Sequence, residues 1–181
     1  SKPFILWQID FSRVFRDNGG FDIVIGNPPY VGEKGHKEMF QEIARTELGK
    51  KYYYGKVDLF YFFFHKSLDL LRERGINALI TTNYYITAQG AIKLRTDFFN
   101  RATILKMIDF NEYKLFQSAL GQHNMITILE KGKLSQNVET AITSRKGNSN
   151  QDVLVRILQW NDAETEYFAF SQEQLYEGNQ L

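Results

Sequence analysis

Apolar and polar positions follow two periods along this chain, and each period predicts a different element. Apolar runs at residues 4–9, 21–25, 76–82, 103–110, 124–130 and 153–160 read as strands, and residues 166–170 as a strand pairing with the last of them. Residues 37–48 place Met39, Phe40, Ile43, Ala44 and Leu48 at helical spacing. Asp58 stands where it can cap a helix that runs through Leu71 and stops before Gly75. Residues 90–100 form a further helix with Ile92, Leu94, Phe98 and Phe99 apolar, and Ser171-Gln172-Glu173-Gln174 carries the capping pattern of a short last one. Asp17-Asn18-Gly19-Gly20 is a turn. Residues 132–152 are polar and rich in Ser, Asn, Lys and Gly, and read as a loop. Strands alternating with helices predict an α/β fold on a parallel sheet, and the strands at 103–110 and 124–130 would close it as an antiparallel hairpin at its edge. The division expected is a main unit over residues 1–131, the polar loop over 132–152, and additional strands with a short helix over 153–181.

One strand is followed by an unusual exit. Phe21-Asp22-Ile23-Val24-Ile25, read as buried, runs through Gly26 into Asn27-Pro28-Pro29-Tyr30. Two prolines fix their own φ, remove two backbone donors and push the residues before them toward extended geometry, so no helix can begin at once. The result is a stiff loop at the carboxyl end of a sheet, where open α/β sheets bind ligands. Asn27 and the Pro28 carbonyl offer two fixed acceptors, which suit a substrate presenting an NH₂ group. Tyr30 offers a flat face for a planar ring, and base–aromatic stacking is worth roughly 1–3 kcal/mol. An exocyclic amine on a flat ring describes an unpaired adenine or cytosine. The bare tetrapeptide is equally a turn with a surface tyrosine; the apolar strand directly before it favours the ligand-binding reading.

Composition adds bounds. The 181 residues amount to one domain or part of one, and 43% hydrophobic and 15% aromatic content suffices for a packed core. A net charge of +1 means that any DNA contact must come from local patches. No cysteine is present, which removes disulfides and thiol nucleophiles from the possible chemistry. No apolar run approaches the roughly 20 residues of a membrane span. His36, His65 and His123 lack metal-ligand spacing, so no metal is assigned.

Residues 21–30 resemble the catalytic motif of S-adenosylmethionine-dependent amino-methyltransferases, in particular the adenine-N6 DNA methyltransferases of bacterial restriction-modification systems, including enzymes that fuse cleavage and methylation. Three further segments resemble the same family in its order. Gln8-Ile9-Asp10-Phe11 resembles the segment whose acidic residue bonds the amino group of the cofactor's adenine, which implies cofactor contacts at Asp10 and Phe11. Residues 57–63 resemble the helix start whose aromatic residue, Phe63 here, packs on that adenine. Asn111-Glu112-Tyr113-Lys114-Leu115-Phe116 resembles the loop whose aromatic residue stacks on the flipped target base opposite Tyr30. The resemblance covers roughly residues 8–130, and its strong part is Asn27 to Tyr30. On the residues alone, Asp10 is equally a turn acid and Phe63 equally core. Lys50 and Lys51, with Tyr52 to Tyr54, either meet DNA or form a solvated loop.

The resemblance implies the C-terminal half of a Rossmann-like methyltransferase sheet, a bacterial cytoplasmic setting, and duplex DNA and S-adenosylmethionine as partners. It also implies a recognition domain, and in fused enzymes a nuclease domain, elsewhere in the parent chain. The glycine-rich turn that accepts the cofactor's methionine end has no counterpart here, and Ser1 stands where a Met would open a full gene product. The chain therefore reads as an excised catalytic half, expected to be inactive and to bind S-adenosylmethionine weakly on its own. Two other classes share the motif or its remnants. One is the amino-methyltransferases of a glutamine side chain or of RNA. The other is a DNA-binding piece with a relic motif.

Overall fold

A six-stranded mixed sheet runs through the chain. The computed structural model describes residues 5–116, 123–178 and 180–181. The sheet consists of β1 (Phe21–Gly26), β2 (Leu71–Thr82), β3 (Ala102–Asp109), β5 (Asn124–Lys131), β6 (Val138–Thr143) and β8 (Thr165–Phe170), in the order β1-β2-β5-β3-β6-β8. Two short strands, β4 (Tyr113–Lys114) and β7 (Gly147–Asn148), pair beside it. The helices are α1 (Trp7–Asp10), α2 (Ser12–Asn18), α3 (Lys37–Arg45), α4 (Glu47–Tyr52), α5 (Leu59–Leu70), α6 (Ile92–Arg101) and α7 (Gln151–Leu158). Pairs β1/β2 and β3/β6 are parallel. Strand β5 is antiparallel to both β2 and β3, and β8 is antiparallel to β6. Consequently β1, β2, β3 and β6 all end at one edge of the sheet, and β5 and β8 begin there.

The sheet is mixed, not parallel throughout, and its closing hairpin strand lies inside it. Strand β5 is inserted between β2 and β3, where both of its edges are hydrogen-bonded. Its alternation shows why: Met125 and Leu129 face the main core, and Ile126 faces the smaller core on the other side. The main core packs Phe60 and Phe64 of α5 and Phe98 of α6 against Leu79, Ile104, Met107 and Leu129. Phe60, Phe64 and Phe98 are fully buried, and each such ring contributes about 1.5–3 kcal/mol. The smaller core lies under α7 and joins Ile157 to Ile108, Phe110, Tyr113 and Ala141.

Several expectations are corrected. Strand β1 is the edge of the sheet and is not buried: Ile23 is 62% and Ile25 80% exposed. Helix α7 covers only the β3/β6 end of that face. Within the run at residues 4–9, the described part turns into α1, because a helical turn stacks Trp7 on Phe11 at 5.7 Å and lets the Asp10 carboxylate accept from Leu6 N–H at 2.9 Å. The helix over 37–48 divides at Thr46, whose Oγ donates to the Ile43 carbonyl at 2.7 Å and accepts from Gly49 N–H at 3.1 Å. Gly49 is obligatory at that break, since a Cβ would stand 1.9 Å from the Ile43 carbonyl oxygen. The polar stretch over 132–152 is no loop: it holds β6, with Val138, Thr140 and Thr143 buried, and β7.

Residues 153–160 lie in α7 and the turn that ends it. Asn150 caps the helix by accepting from Asp152 and Val153 N–H, and Val153, Leu154 and Ile157 then share one apolar side. The strand over 166–170 exists as β8 but pairs with β6. The capping bonds of Ser171 form, from Ser171 N–H to Gln174 Oε1 and from Gln174 N–H to Ser171 Oγ, yet they close a turn and no helix follows.

Candidate active site

At the edge where β1, β2 and β3 end, the first loop is Asn27–Tyr30. Asn27 is exposed, Pro28 is buried and Tyr30 is half-buried. The loop is pinned just beyond Tyr30. Leu59 N–H donates to the Val31 carbonyl at 2.8 Å, Glu33 N–H donates to the Val57 carbonyl at 2.9 Å, and Gly32 forms an antiparallel bridge with Asp58. The Glu33 carboxylate accepts from the Tyr53 hydroxyl. Burial pushes the Asp58 carboxyl above its ordinary value, against the opposing pull of the nearby Tyr61 hydroxyl. Tyr30 is not turned outward as expected. Its hydroxyl donates to the Ile80 carbonyl of β2 at 3.2 Å, and its ring meets Phe60 edge-on at 6.4 Å. Burial pushes this phenol up to about 12, despite the nearby Asn124 amide, so it stays a neutral donor at working pH.

The second loop leaves β3. Asp109 accepts from Asn83 Nδ2 at 3.0 Å and from Asn111 N–H at 2.8 Å. Asn111 takes a left-handed φ of 46°, which Asn tolerates better than most residues. Tyr113 and Lys114 then pair with Gly147 and Asn148, and the Tyr113 hydroxyl accepts from Asn150 N–H at 2.7 Å. Phe116 follows, half-buried; residues 117–122 lie outside the described residues. Among Asn83-Tyr84-Tyr85, only Tyr85 is core: it is fully buried and hydrogen-bonded to Thr127 Oγ1 at 2.7 Å.

Residues 1–116 match the Eco57I restriction-modification methylase family. The chain belongs to that family. It is 31% identical over 157 residues to the Type II methyltransferase M.HincII of Haemophilus influenzae, covering 84% of this chain and 30% of that protein. It is 28% identical over 145 residues to the Type II methyltransferase M.BstVI of Geobacillus stearothermophilus, covering 77% of this chain and 24% of that one. The chain thus spans under a third of these relatives. Among solved structures, the type IIG restriction endonuclease BpuSI superposes with a TM-score of 0.59 at 18% identity, over 85% of this chain and 19% of that one, a likeness of fold.

In this methylase chain the remaining candidate residues fall into two places. Phe63 is 43% exposed, although Phe60, Tyr61, Phe62 and Phe64 around it are buried. It shares a face of α5 with Lys66 and Leu70, which line a groove of about 440 Å³ together with Leu6 and Trp7 of the α1 region. Asp10 and Phe11 sit at the end of α1, directly after Gln8 and Ile9, which also line that groove, and Phe11 packs on Phe21 at 5.3 Å.

Lys50 and Lys51 line a hollow with Lys66 and Asp69, about 10–15 Å along α5 from Leu59, where the Asn27 loop meets that helix, at 1.5 Å per residue. Lys50 pairs with Glu47 at 2.6 Å and Lys51 lies 4.8 Å over the Tyr52 ring. Tyr52 stacks on His65 at 3.5 Å, and His65 bonds Asp97 at 2.7 Å. Burial holds the imidazole pKa down, which suits a neutral structural histidine.

The residue that sequence reasoning missed is Asp109, joined across the sheet edge to Asn83. The signal available for it was weak: an Asp closing an apolar strand.

Proposed function

We propose that the parent of this chain transfers a methyl group from S-adenosylmethionine to N6 of an adenine flipped out of duplex DNA, within a bacterial restriction-modification system. The observation that carries the reading is the exposed Asn27 beside buried Pro28, at a sheet edge where Tyr30 is already fixed. The amine of adenine is a poor nucleophile because its lone pair is conjugated with the ring. Asn27 Oδ1 and the Pro28 carbonyl accept its two hydrogens and favour a tetrahedral nitrogen, whose lone pair is then free to attack. Their contribution is positioning and electrostatic stabilisation. Tyr30 and Phe116 hold the flipped ring from its two faces.

The cofactor supplies an electrophilic methyl group when bound. The residues present fit part of it. An uncovered Phe63 ring suits a flat purine, and the Asp10 carboxylate is an acceptor of the kind a purine amino group needs. No metal takes part in this reading. The parent works on DNA in the cytoplasm, with target recognition, and in a fused enzyme cleavage, carried by other parts of the chain. Among the described residues no helix is long and apolar enough to cross a membrane.

The test is labelled-methyl transfer by the intact parent, with duplex DNA and a translation release factor offered in parallel. N6-methyladenine in the DNA is expected. Methylglutamine in the factor, or label in neither, overturns the proposal.

A further inference from the structure

The Asp109 carboxylate, at the end of β3, ties the end of β2 to the second loop of the proposed site. One oxygen accepts from Asn83 Nδ2 at 3.0 Å and the other from Asn111 N–H at 2.8 Å. Asn83 directly follows β2, and its own N–H donates to the His123 carbonyl at 3.0 Å, so the end of β2 is fixed to the start of β5. Three residues earlier on the same strand, the Ile80 carbonyl holds the Tyr30 hydroxyl. A continuous bonded path therefore runs from Tyr30 through β2 and Asn83 to Asp109, and from Asp109 into the turn at Asn111. The turn is closed by Tyr113 N–H to the Phe110 carbonyl at 2.8 Å, and Phe110 N–H is held by the Asn124 carbonyl at 2.9 Å. Phe116 lies three residues beyond Tyr113.

We propose that Asp109, with Asn83, is a positioning pair that sets the gap between the Tyr30 and Phe116 rings, and so the fit of the planar base between them. The inference rests on the adenine reading above and adds residues that touch neither base nor cofactor. The chemistry explains the choice of one acid and one amide. A carboxylate has only acceptors, so it satisfies two donors at once without a competing hydrogen. A neutral residue at 109 leaves one of the donors at Asn83 or Asn111 unpaired, unless the Asn83 amide turns over. A carboxylate at 83 faces a carboxylate at 109 and repels it. Exchange of the two residue types restores one donor and one acceptor across the pair, while residue 109 keeps an oxygen for Asn111 N–H.

The experiment uses the intact parent with two duplexes: the one that the wild-type protein methylates, for kcat and KM, and a copy with 2-aminopurine at the target position, for flipping alone. For N83D and D109A, kcat is expected to fall about tenfold or more and the flipping signal to drop with it, while KM for S-adenosylmethionine stays within about twofold. The double exchange N83D/D109N is expected to recover kcat to within about threefold of wild type, and with it the fluorescence. If N83D and D109A keep wild-type kcat and flipping, or if the exchange stays as impaired as N83D alone, the pair does not set the gap. Should D109A fail to fold, N83D and the exchange decide the matter between them. A wild-type parent that methylates no adenine overturns the function reading, and this inference with it; an active parent with indifferent variants overturns this inference alone.

Discussion

The two loops at the sheet edge are held in different ways. The first, from Asn27 to Glu33, is stiffened from within by two adjacent prolines and fastened to the start of α5, 24 to 28 residues later, where Val57 and Leu59 meet Glu33 and Val31. The second, from Asn111 to Phe116, has no proline and borrows its order. Asp109 turns it, β7 pairs with it, and Asn150 binds Tyr113 from the far side of β6. Rigidity built into a loop's own residues is legible in sequence and resists distant change. Rigidity lent by neighbours is invisible in the local sequence and fails when any lender fails.

The deepest way to test the first loop is to remove its acceptor and leave its frame. Asn27→Ala should lower methyl transfer by the parent about a thousandfold, near 4 kcal/mol of barrier, with the melting temperature unchanged because Asn27 is exposed. Transfer within about twofold of wild type would remove Asn27 from the chemistry.

The second loop should break from a distance. Arg145, just after β6, donates to both oxygens of Asp162 at 2.9 and 2.8 Å, and the Asp162 side chain is fully buried. Thr165 Oγ1 and Glu164 N–H also serve this carboxylate, which links the β6 end to the start of β8. Arg145→Ala leaves the buried charge with only Arg156, at 3.6 Å, as a cationic partner, and about 3 kcal/mol of stability should be lost at neutral pH. The Arg145 guanidinium holds the Asp162 carboxyl down at about 2. A carboxyl depressed in the fold stabilises it above the ordinary carboxylate range and loses that contribution as pH falls through about 4 toward 2. Denaturant melts across that window should show a steep acid limb in wild type and a flatter one in Asp162→Asn; identical limbs would place the acid sensitivity elsewhere. A smaller break comes from Asn150→Ala, which uncaps α7 next to Tyr113 and should cost about 1 kcal/mol. Hydrogen exchange should then quicken at Tyr113 and Lys114 and stay unchanged at Val31 and Glu33. Equal quickening at both loops would erase the distinction drawn between them.

The same contrast explains what the sequence disclosed. The strand entering Asn-Pro-Pro-Tyr, the helix begun at Asp58 and the pairing of β3 with β5 all rest on short-range patterns of apolar and turn residues. Strand β6 escaped because Val-Glu-Thr-Ala-Ile-Thr is polar by composition; only its place between β3 and β8 buries Thr140 and Thr143. Helix α7 escaped because Val153 to Leu158 is apolar but for Arg156 and rich in β-branched residues, and a short apolar run does not reveal its period. The decisive sign, Asn150 followed by apolar residues three, four and seven positions later, was present but lay within a stretch that composition marks as loop. Exposure of β1 could not be read at all, because an apolar alternation records that a face is meant to be covered and not which element covers it.

The mildest change separates frame from chemistry within the first loop itself. Tyr30→Phe deletes the bond to the Ile80 carbonyl and leaves the ring against Phe60. A typical hydrogen bond of this kind is worth about 1 kcal/mol net, so stability should fall by about that or less. Because the phenol lies near 12, it is protonated throughout the working range, and its loss should leave the pH profile of transfer unaltered below about pH 10. If Tyr30 serves only as a stacking face fixed to β2, Tyr30→Phe keeps the face and slackens the anchor, and kcat should drop only a few-fold, to roughly a third of wild type. A drop as deep as that of Asn27→Ala would give the hydroxyl a direct part in handling the amine. The first loop would then hold three reactive groups in place of two acceptors and a wall. A wild-type kcat would mean that two prolines and the bonds of Val31 and Glu33 to Leu59 and Val57 hold the ring without the hydroxyl.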